Sequence, residues 1–271
     1  RTRGFMLGGT AGRTTLNGEG LQHEDGHSHV LFSVVPNCRA YDPTFGYEVA
    51  VIIQDGLRRM IAEQEDHFYY ITLMNENYVH PAMPPGAEEG ILRGMYLLSE
   101  APKRSRKRRV QLLGSGTILR EVMAAAQLLE SDFDVVADVW SVTSFTELRR
   151  DGIEVERFNL LHPTAKPRRA FVTESLAGRH GPIIASTDYI RAFADQIRQW
   201  VPAPYRTLGT DGFGRSDSRR ALRRFFEVDR HYVAVAALKE LADAGEIDSK
   251  LVQKAIDKYE IDPEAPMPTT V

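Results

Sequence analysis

Three imidazoles and three carboxylates crowd into thirteen residues near the start of the chain, Asn17-Gly-Glu-Gly-Leu-Gln-His23-Glu24-Asp25-Gly-His27-Ser-His29. Gly18, Gly20 and Gly26 interrupt the stretch. A glycine costs about 1 kcal/mol relative to alanine inside a helix, so the segment reads as a loop. Histidine beside Asp or Glu on a loop suits proton transfer or stabilisation of developing charge near neutral pH. His27 and His29, one residue apart, share a face on an extended backbone. With His23 or Asp25 as a third ligand they support a second reading, a metal-dependent hydrolase. Asn75 and Glu76 leave an aromatic strand at its carboxyl end, where α/β sheets place ligands, and form a lower-ranked candidate group.

The elements around these residues alternate. The spacing predicts a short strand over Val30–Val35 and a helix capped by Asp42, with Pro43 in its first turn, running to about Gln64. It predicts a buried strand over His67–Met74 and a helix over Ala87–Leu98. Further strands are expected at 110–116, 135–142, 170–173, 183–186 and 205–209. Helices are expected at 118–133, from Ser144, from a Thr187-Asp188 cap to Val201, and at 218–226, 232–244 and 249–259. Strand–helix alternation of this kind implies crossover units and a mainly parallel sheet, an α/β fold. Six basic residues in seven, Lys103 to Arg109, follow a proline-rich stretch and read as an exposed linker. The expected division is therefore residues 1–100, a linker at 101–109, and a second domain at 110–271.

The 271 residues are 42% hydrophobic and 26% charged, with a net charge of −3. That balance gives no case for nucleic-acid binding, and no apolar run approaches the roughly 20 residues of a membrane span. The first residues lack an initiator Met and the apolar core of a signal peptide, so the chain reads as starting within something longer. One cysteine, Cys38, rules out an internal disulfide and fits a reducing, cytoplasmic setting. Gly8-Gly-Thr-Ala-Gly12-Arg13-Thr14 fails as a phosphate loop: three residues separate Gly8 from Gly12, and Arg13 stands where a lysine is required.

Residues 4–29 closely resemble the homodimeric, bacterial-type decarboxylase component of the pyruvate dehydrogenase complex. So do Asn75-Glu-Asn-Tyr78, Val142–Leu148 with Arg150-Asp-Gly152, and Leu208-Gly-Thr-Asp-Gly-Phe-Gly-Arg-Ser-Asp217. The resemblance implies the later part of a thiamine-dependent pyrimidine-binding domain followed by a transketolase-type C-terminal domain. It further implies thiamine diphosphate and Mg2+ as cofactors, pyruvate as substrate, a homodimer, and the dihydrolipoyl acyltransferase of the complex as acceptor of the acetyl group. Glu24-Asp25-Gly26-His27-Ser28-His29 is similar to the transketolase loop Glu-Asp-Gly-Pro-Thr-His. That similarity places Asp25 and His29 toward the substrate, whereas His27 stands where transketolases have proline. Glu24, Asn75 and Glu76 are then substrate-proximal, and Asn75-Glu76 replaces a phosphate-binding arginine, which suits an unphosphorylated acid. The family's diphosphate- and magnesium-binding segment is not among these residues, so cofactor-binding residues are unassigned and no metal ligands are expected. A structural or dimerisation module without activity of its own stands as the alternative.

Overall fold

The computed structural model describes residues 2–9, 11–102 and 108–271. Two sheets organise them. The first has three parallel strands, β1 (Phe5–Gly9), β2 (Cys38–Tyr41) and β3 (Phe68–Leu73), in the order β1-β3-β2. The second has β4 (Tyr96–Ser99), β5 (Arg108–Gly114), β6 (Val135–Ser141), β7 (Ile183–Ser186) and β8 (Tyr205–Leu208). Its order is β4-β6-β5-β7-β8, and every neighbouring pair except β4 with β6 is parallel. The α/β class and the mainly parallel sheets expected from the sequence are thus both present.

Each sheet is covered on two faces, as parallel strands require. On the first, α1 (Ser28–Ser33) lies over Cys38, Ala40 and Tyr70 through Phe32. α2 (Gly46–Leu57) and α3 (Glu88–Arg93) pack Ile52 and Ile91 against Tyr41, Tyr69 and Ile71 on the other face. On the second sheet, α4 (Leu119–Phe133) buries Leu119, Val122, Ala125 and Leu129, the three- and four-residue spacing of one helix face. α5 (Phe145–Leu161), α6 (Phe171–Ser175) and α7 (Arg191–Asp195) close the opposite face with Phe145, Leu148, Val172 and Phe193. α8 (Arg219–Phe225), α9 (Arg230–Asp243) and α10 (Ser249–Lys258) complete the layer that holds α4. Burial of each such side chain contributes about 1.5–3 kcal/mol. Among the described residues no helix is long and apolar enough to cross a membrane.

Several local expectations fail, each for a visible reason. Val30–Val35 is not a strand. Asp25 Oδ1 accepts the His27 and Ser28 amides at 2.9 and 3.0 Å and starts α1 there. Asp42 caps no helix: its carboxylate turns inward, and α2 begins at Gly46, where Glu48 Oε2 accepts the Phe45 amide at 2.9 Å. A π-helical turn, Arg58–Ala62, ends that helix. The 170–173 strand is helix α6, whose start is capped by Asp151 Oδ2 on the Phe171 amide at 2.6 Å. Asp188 also turns inward, and α7 is only five residues long. Strands β1 and β2 lie outside the expected elements, and Gly8 and Gly9 belong to β1.

The helix expected over 87–98 stops at Arg93. Gly94 ends it at φ +108°, and the chain enters β4, which pairs with β6. β4 therefore belongs to the second sheet, so the chain passes between sheets at Gly94, ahead of the basic run. Arg108 and Arg109 of that run open β5, while residues 103–107 lie outside the described residues. A Cβ on Gly94 would sit 2.5 Å from the Ser144 carbonyl oxygen. Gly94→Ala is expected to cost at least about 2 kcal/mol of unfolding free energy, from the left-handed backbone angle and that clash together. A urea denaturation midpoint equal to wild type would contradict this account of the crossing.

Candidate active site

The carboxyl ends of strands from both sheets meet in a buried polar seam. Asp42, just past β2, accepts Thr72 Oγ1 of β3 at 2.7 Å and Ser115 Oγ, just past β5, at 2.8 Å. Its backbone carbonyl accepts the Gly116 amide at 3.1 Å. Asp188, just past β7, answers from the second sheet by accepting Thr14 Oγ1 at 2.7 Å and the Thr14 amide at 3.2 Å. Each carboxylate thus comes from one sheet and finds at least one donor on the other. Both are fully buried, and burial pushes each pKa up to about 7; Thr72 and Ser115 partly oppose this at Asp42, and the Arg223 charge and Thr14 at Asp188.

His29 hangs from this seam. It is fully buried, stacked on Phe193 at 4.6 Å between centroids and edge-on to Tyr189 at 4.7 Å. Its Nε2 lies 3.0 Å from Thr72 Oγ1. The single Thr72 proton goes to Asp42, so Nε2 carries the imidazole proton and donates it to Thr72. Burial lowers the His29 pKa to about 3, and the charge of Asp25 only partly opposes this. His29 is a neutral ring at neutral pH, held against Thr72.

The other loop residues gather around Arg13. This guanidinium is 1% exposed; Nη1 donates to the Gly212 carbonyl and Nη2 lies 3.3 Å from His27 Nε2. A guanidinium only donates, so His27 Nε2 is the acceptor in this contact. Glu24 and Asp25 place negative charge beside Arg13. Glu24 Oε2 accepts the Arg215 amide at 2.6 Å, and burial raises the Glu24 pKa. Asp25 Oδ2 accepts Ser28 Oγ, so both oxygens of that carboxylate serve the start of α1. Gly26 is required here, because a Cβ would lie 2.1 Å from Arg13 Nε. His23 is exposed, with Nδ1 2.9 Å from Glu19 Oε2.

Glu76 belongs to a separate network. Arg223 donates to it, as do Arg120 Nη1 at 2.6 Å and Thr117 Oγ1 at 2.8 Å. Burial pushes the Glu76 pKa up, but Arg223, Thr117 and Arg120 outweigh it and hold it down at about 2. The Asn75 side chain is exposed, and the backbone carbonyl of Asn75 accepts Arg219 Nη2 at 3.3 Å. The structure therefore brings Glu24, Asp25 and His27 together, buries His29 behind them, and sets Asn75 and Glu76 apart. The sequence reading had no role for Arg13, Thr72, Asp42 or Asp188. The one available signal was that polar residues follow several strand ends.

Among the described residues the glycine-rich turn does not fit a diphosphate. The Gly12 turn faces the Asp188 carboxylate, whose Oδ2 would lie 2.1 Å from a Cβ there, so a phosphate would meet negative charge. His23, His27 and His29 point to different surroundings, and among the described residues no group of three or more His, Cys, Asp or Glu side chains is placed to hold a metal ion.

Residues 1–81 match the pyruvate dehydrogenase E1 component middle domain, and residues 94–229 match the transketolase-like TK C-terminal domain. The chain is 68% identical over 265 residues to a pyruvate dehydrogenase E1 component of Pseudomonas aeruginosa, covering 97% of this chain and 30% of that protein. The same component of Cupriavidus necator is 64% identical over 271 residues, all of this chain and 30% of its own length. That of Escherichia coli K12 is 59% identical over 264 residues, 97% and 29% respectively. The chain thus spans about 30% of the length of the curated relatives it matches. Among solved structures, a transketolase of Pichia stipitis complexed with sedoheptulose 7-phosphate has a TM-score of 0.62 at 17% identity, over 88% of this chain and 30% of that one. A split-gene transketolase described as an inactive beta4 tetramer has a TM-score of 0.56 at 16% identity, over 88% of this chain and 67% of that one. These two likenesses show the fold.

The buried groups make a pH prediction. Asp42 and Asp188 have folded pKa values raised above their unfolded values, so the folded state binds more protons between about pH 4 and 7, and each erodes stability as pH rises through that window. His29 has the opposite sign: its folded pKa is depressed, so its contribution is present above about pH 6.5 and is lost as pH falls toward 3. The unfolding free energy of Asp42→Asn relative to wild type should therefore improve steadily from pH 4 to pH 7. A difference independent of pH would mean that Asp42 is ionised throughout.

Proposed function

The chain belongs to the transketolase-like family, with the middle domain of pyruvate dehydrogenase E1 components ahead of its C-terminal domain, and on that premise we propose that it is part of such an E1 component. The parent would be a pyruvate dehydrogenase (acetyl-transferring), an oxidoreductase of the step after glycolysis, which decarboxylates pyruvate and reductively acetylates the lipoyl group of a dihydrolipoyl acyltransferase. The observation that carries this reading is 68% identity across 97% of the chain. Thiamine diphosphate and Mg2+ would be held mainly by residues outside these 271. A homodimer in the cytoplasm completes the reading.

The chain's own contribution starts at the glycine-punctuated loop. His23 is the imidazole best placed to exchange a proton: it is exposed, and Glu19 holds its Nδ1 so that Nε2 is left to give or take one. His27 accepts from Arg13 through Nε2. Asp25 and His29, placed toward the substrate by family resemblance, are here positioning residues. One starts α1 and the other anchors it to Thr72.

A second reading rests on the split-gene transketolase chain described as inactive. It holds that this segment by itself is a structural and assembly module.

In the full-length protein, thiamine diphosphate and magnesium together should be required for pyruvate-dependent carbon dioxide release and for acetylation of a lipoyl domain. Absence of both activities in folded, cofactor-saturated protein would overturn the assignment. His23→Ala should lower turnover by about 10²-fold, as expected for a lost acid–base group, with an unchanged melting temperature. His29→Ala should destabilise by about 3 kcal/mol, because it empties a packed aromatic site. Wild-type turnover in His23→Ala would remove that ring from the chemistry. The 271-residue chain expressed alone should show no thiamine diphosphate binding near 1 μM, about −8 kcal/mol; calorimetry on the folded chain tests this.

A further inference from the structure

We propose that the arginine-lined cleft between α4, α8 and the start of α9 is a binding site for a small phosphate-bearing ligand, separate from the histidine loop. The cleft encloses about 660 Å³, the size of ordinary small-molecule sites. Arg120 enters it from α4, Arg219, Arg220 and Arg223 from α8, and Arg230 from α9.

Three carboxylates share the cleft, and the structure commits each of them. Glu76 is held by Arg223 and Arg120. Glu121 accepts Arg230 Nε at 2.8 Å and Nη2 at 3.0 Å, and Arg223 Nη1 stands 3.5 Å away. Asp229 caps α9 through the His231 and Tyr232 amides and has Arg224 Nη1 at 3.5 Å. Five guanidiniums against three carboxylates leave two positive charges over.

The surplus has an address. Arg219 spends its hydrogen bonds on neutral acceptors, the Thr15 carbonyl at 2.8 Å and the Asn75 carbonyl at 3.3 Å, with Glu76 Oε2 only at 4.0 Å. Arg220 is exposed and makes no hydrogen bond or ion pair among the described residues. Beside them Arg223 is buried, 6% exposed, and held by Glu76 and Thr117. A preformed concave site with two excess guanidinium charges matches a phosphate dianion, which accepts several N–H bonds in the forked geometry that arginine offers. The arginines converge on a cavity instead of spreading over a flat face, and this favours a small ligand over a macromolecular one.

The probe is inorganic phosphate, titrated calorimetrically into full-length protein at low ionic strength. Thiamine diphosphate and magnesium are kept in excess so that any site for that diphosphate is already filled. Saturable binding is expected, weakened about tenfold by Arg220→Gln, the loss of one charge-assisted contact. Leu128→Glu, which sets a carboxylate in the cleft wall without removing an arginine, should abolish it. Unchanged melting temperatures would show that both variants are folded. No saturable heat, or equal affinity in both variants, would overturn the proposal. So would a Leu128→Glu protein that binds phosphate normally but no longer assembles with the acyltransferase, since an acidic partner segment would then be the occupant. Pyruvate turnover enters none of these readouts, so the site and the proposed activity can fail independently.

Discussion

Burial of two carboxylates between the sheets is the constraint from which the rest follows. A carboxylate taken from water without compensation costs several kcal/mol, so its donors cannot be left to chance. Asp42 and Asp188 each reach across the junction, to Ser115 and to Thr14. Ser115 Oγ also lies 3.0 Å from Thr187 Oγ1, which ties the ends of β5 and β7 into the same network. Displacing either sheet would orphan donors and acceptors on both. The two halves of the chain are held in one arrangement by polar satisfaction, with the apolar clusters supplying bulk stability on either side.

The histidine loop has little structure of its own and takes its geometry from that seam. Arg13 follows Gly12, which must be glycine to pass Asp188 at φ +88°. The buried guanidinium then sets where Glu24, Asp25 and His27 can lie. Gly26 lets the chain cross the guanidinium, and α1 begins at once with His29 pinned to Thr72. The glycines that marked the segment as a loop are there for close approach to Arg13 and Asp188, which is a stricter demand than flexibility.

The long amphipathic elements could be read in the sequence because their burial pattern is local. α4, α9 and strands β5 to β8 fall close to expectation, since apolar spacing and flanking turns carry the information. Val30–Val35 is not a strand because six apolar-rich residues look alike as strand or helix, and the decision rests with Asp25, five residues upstream of Val30. Asp42 and Asp188 sit before turns as caps do, but their partners are 30 to 174 residues away. No local pattern reports such a contact. The loop itself could be found from its composition. Which ring would be buried could not, because His29 differs from His23 and His27 only in what Phe193, Tyr189 and Thr72 bring to it.

That difference gives the three histidines of one loop different chemical properties. A buried ring with its pKa near 3 cannot take up a proton at neutral pH, yet it can donate one hydrogen bond and fill an aromatic socket with high precision. Using His29 this way fixes the base of the loop to β3. The exposed rings, His23 and His27, precede it within the same short loop. Precision at a reacting centre requires rigid support, and a proton-transfer group requires contact with solvent or substrate. One residue cannot meet both demands. A buried and an exposed imidazole a few residues apart separate the two properties within a single loop.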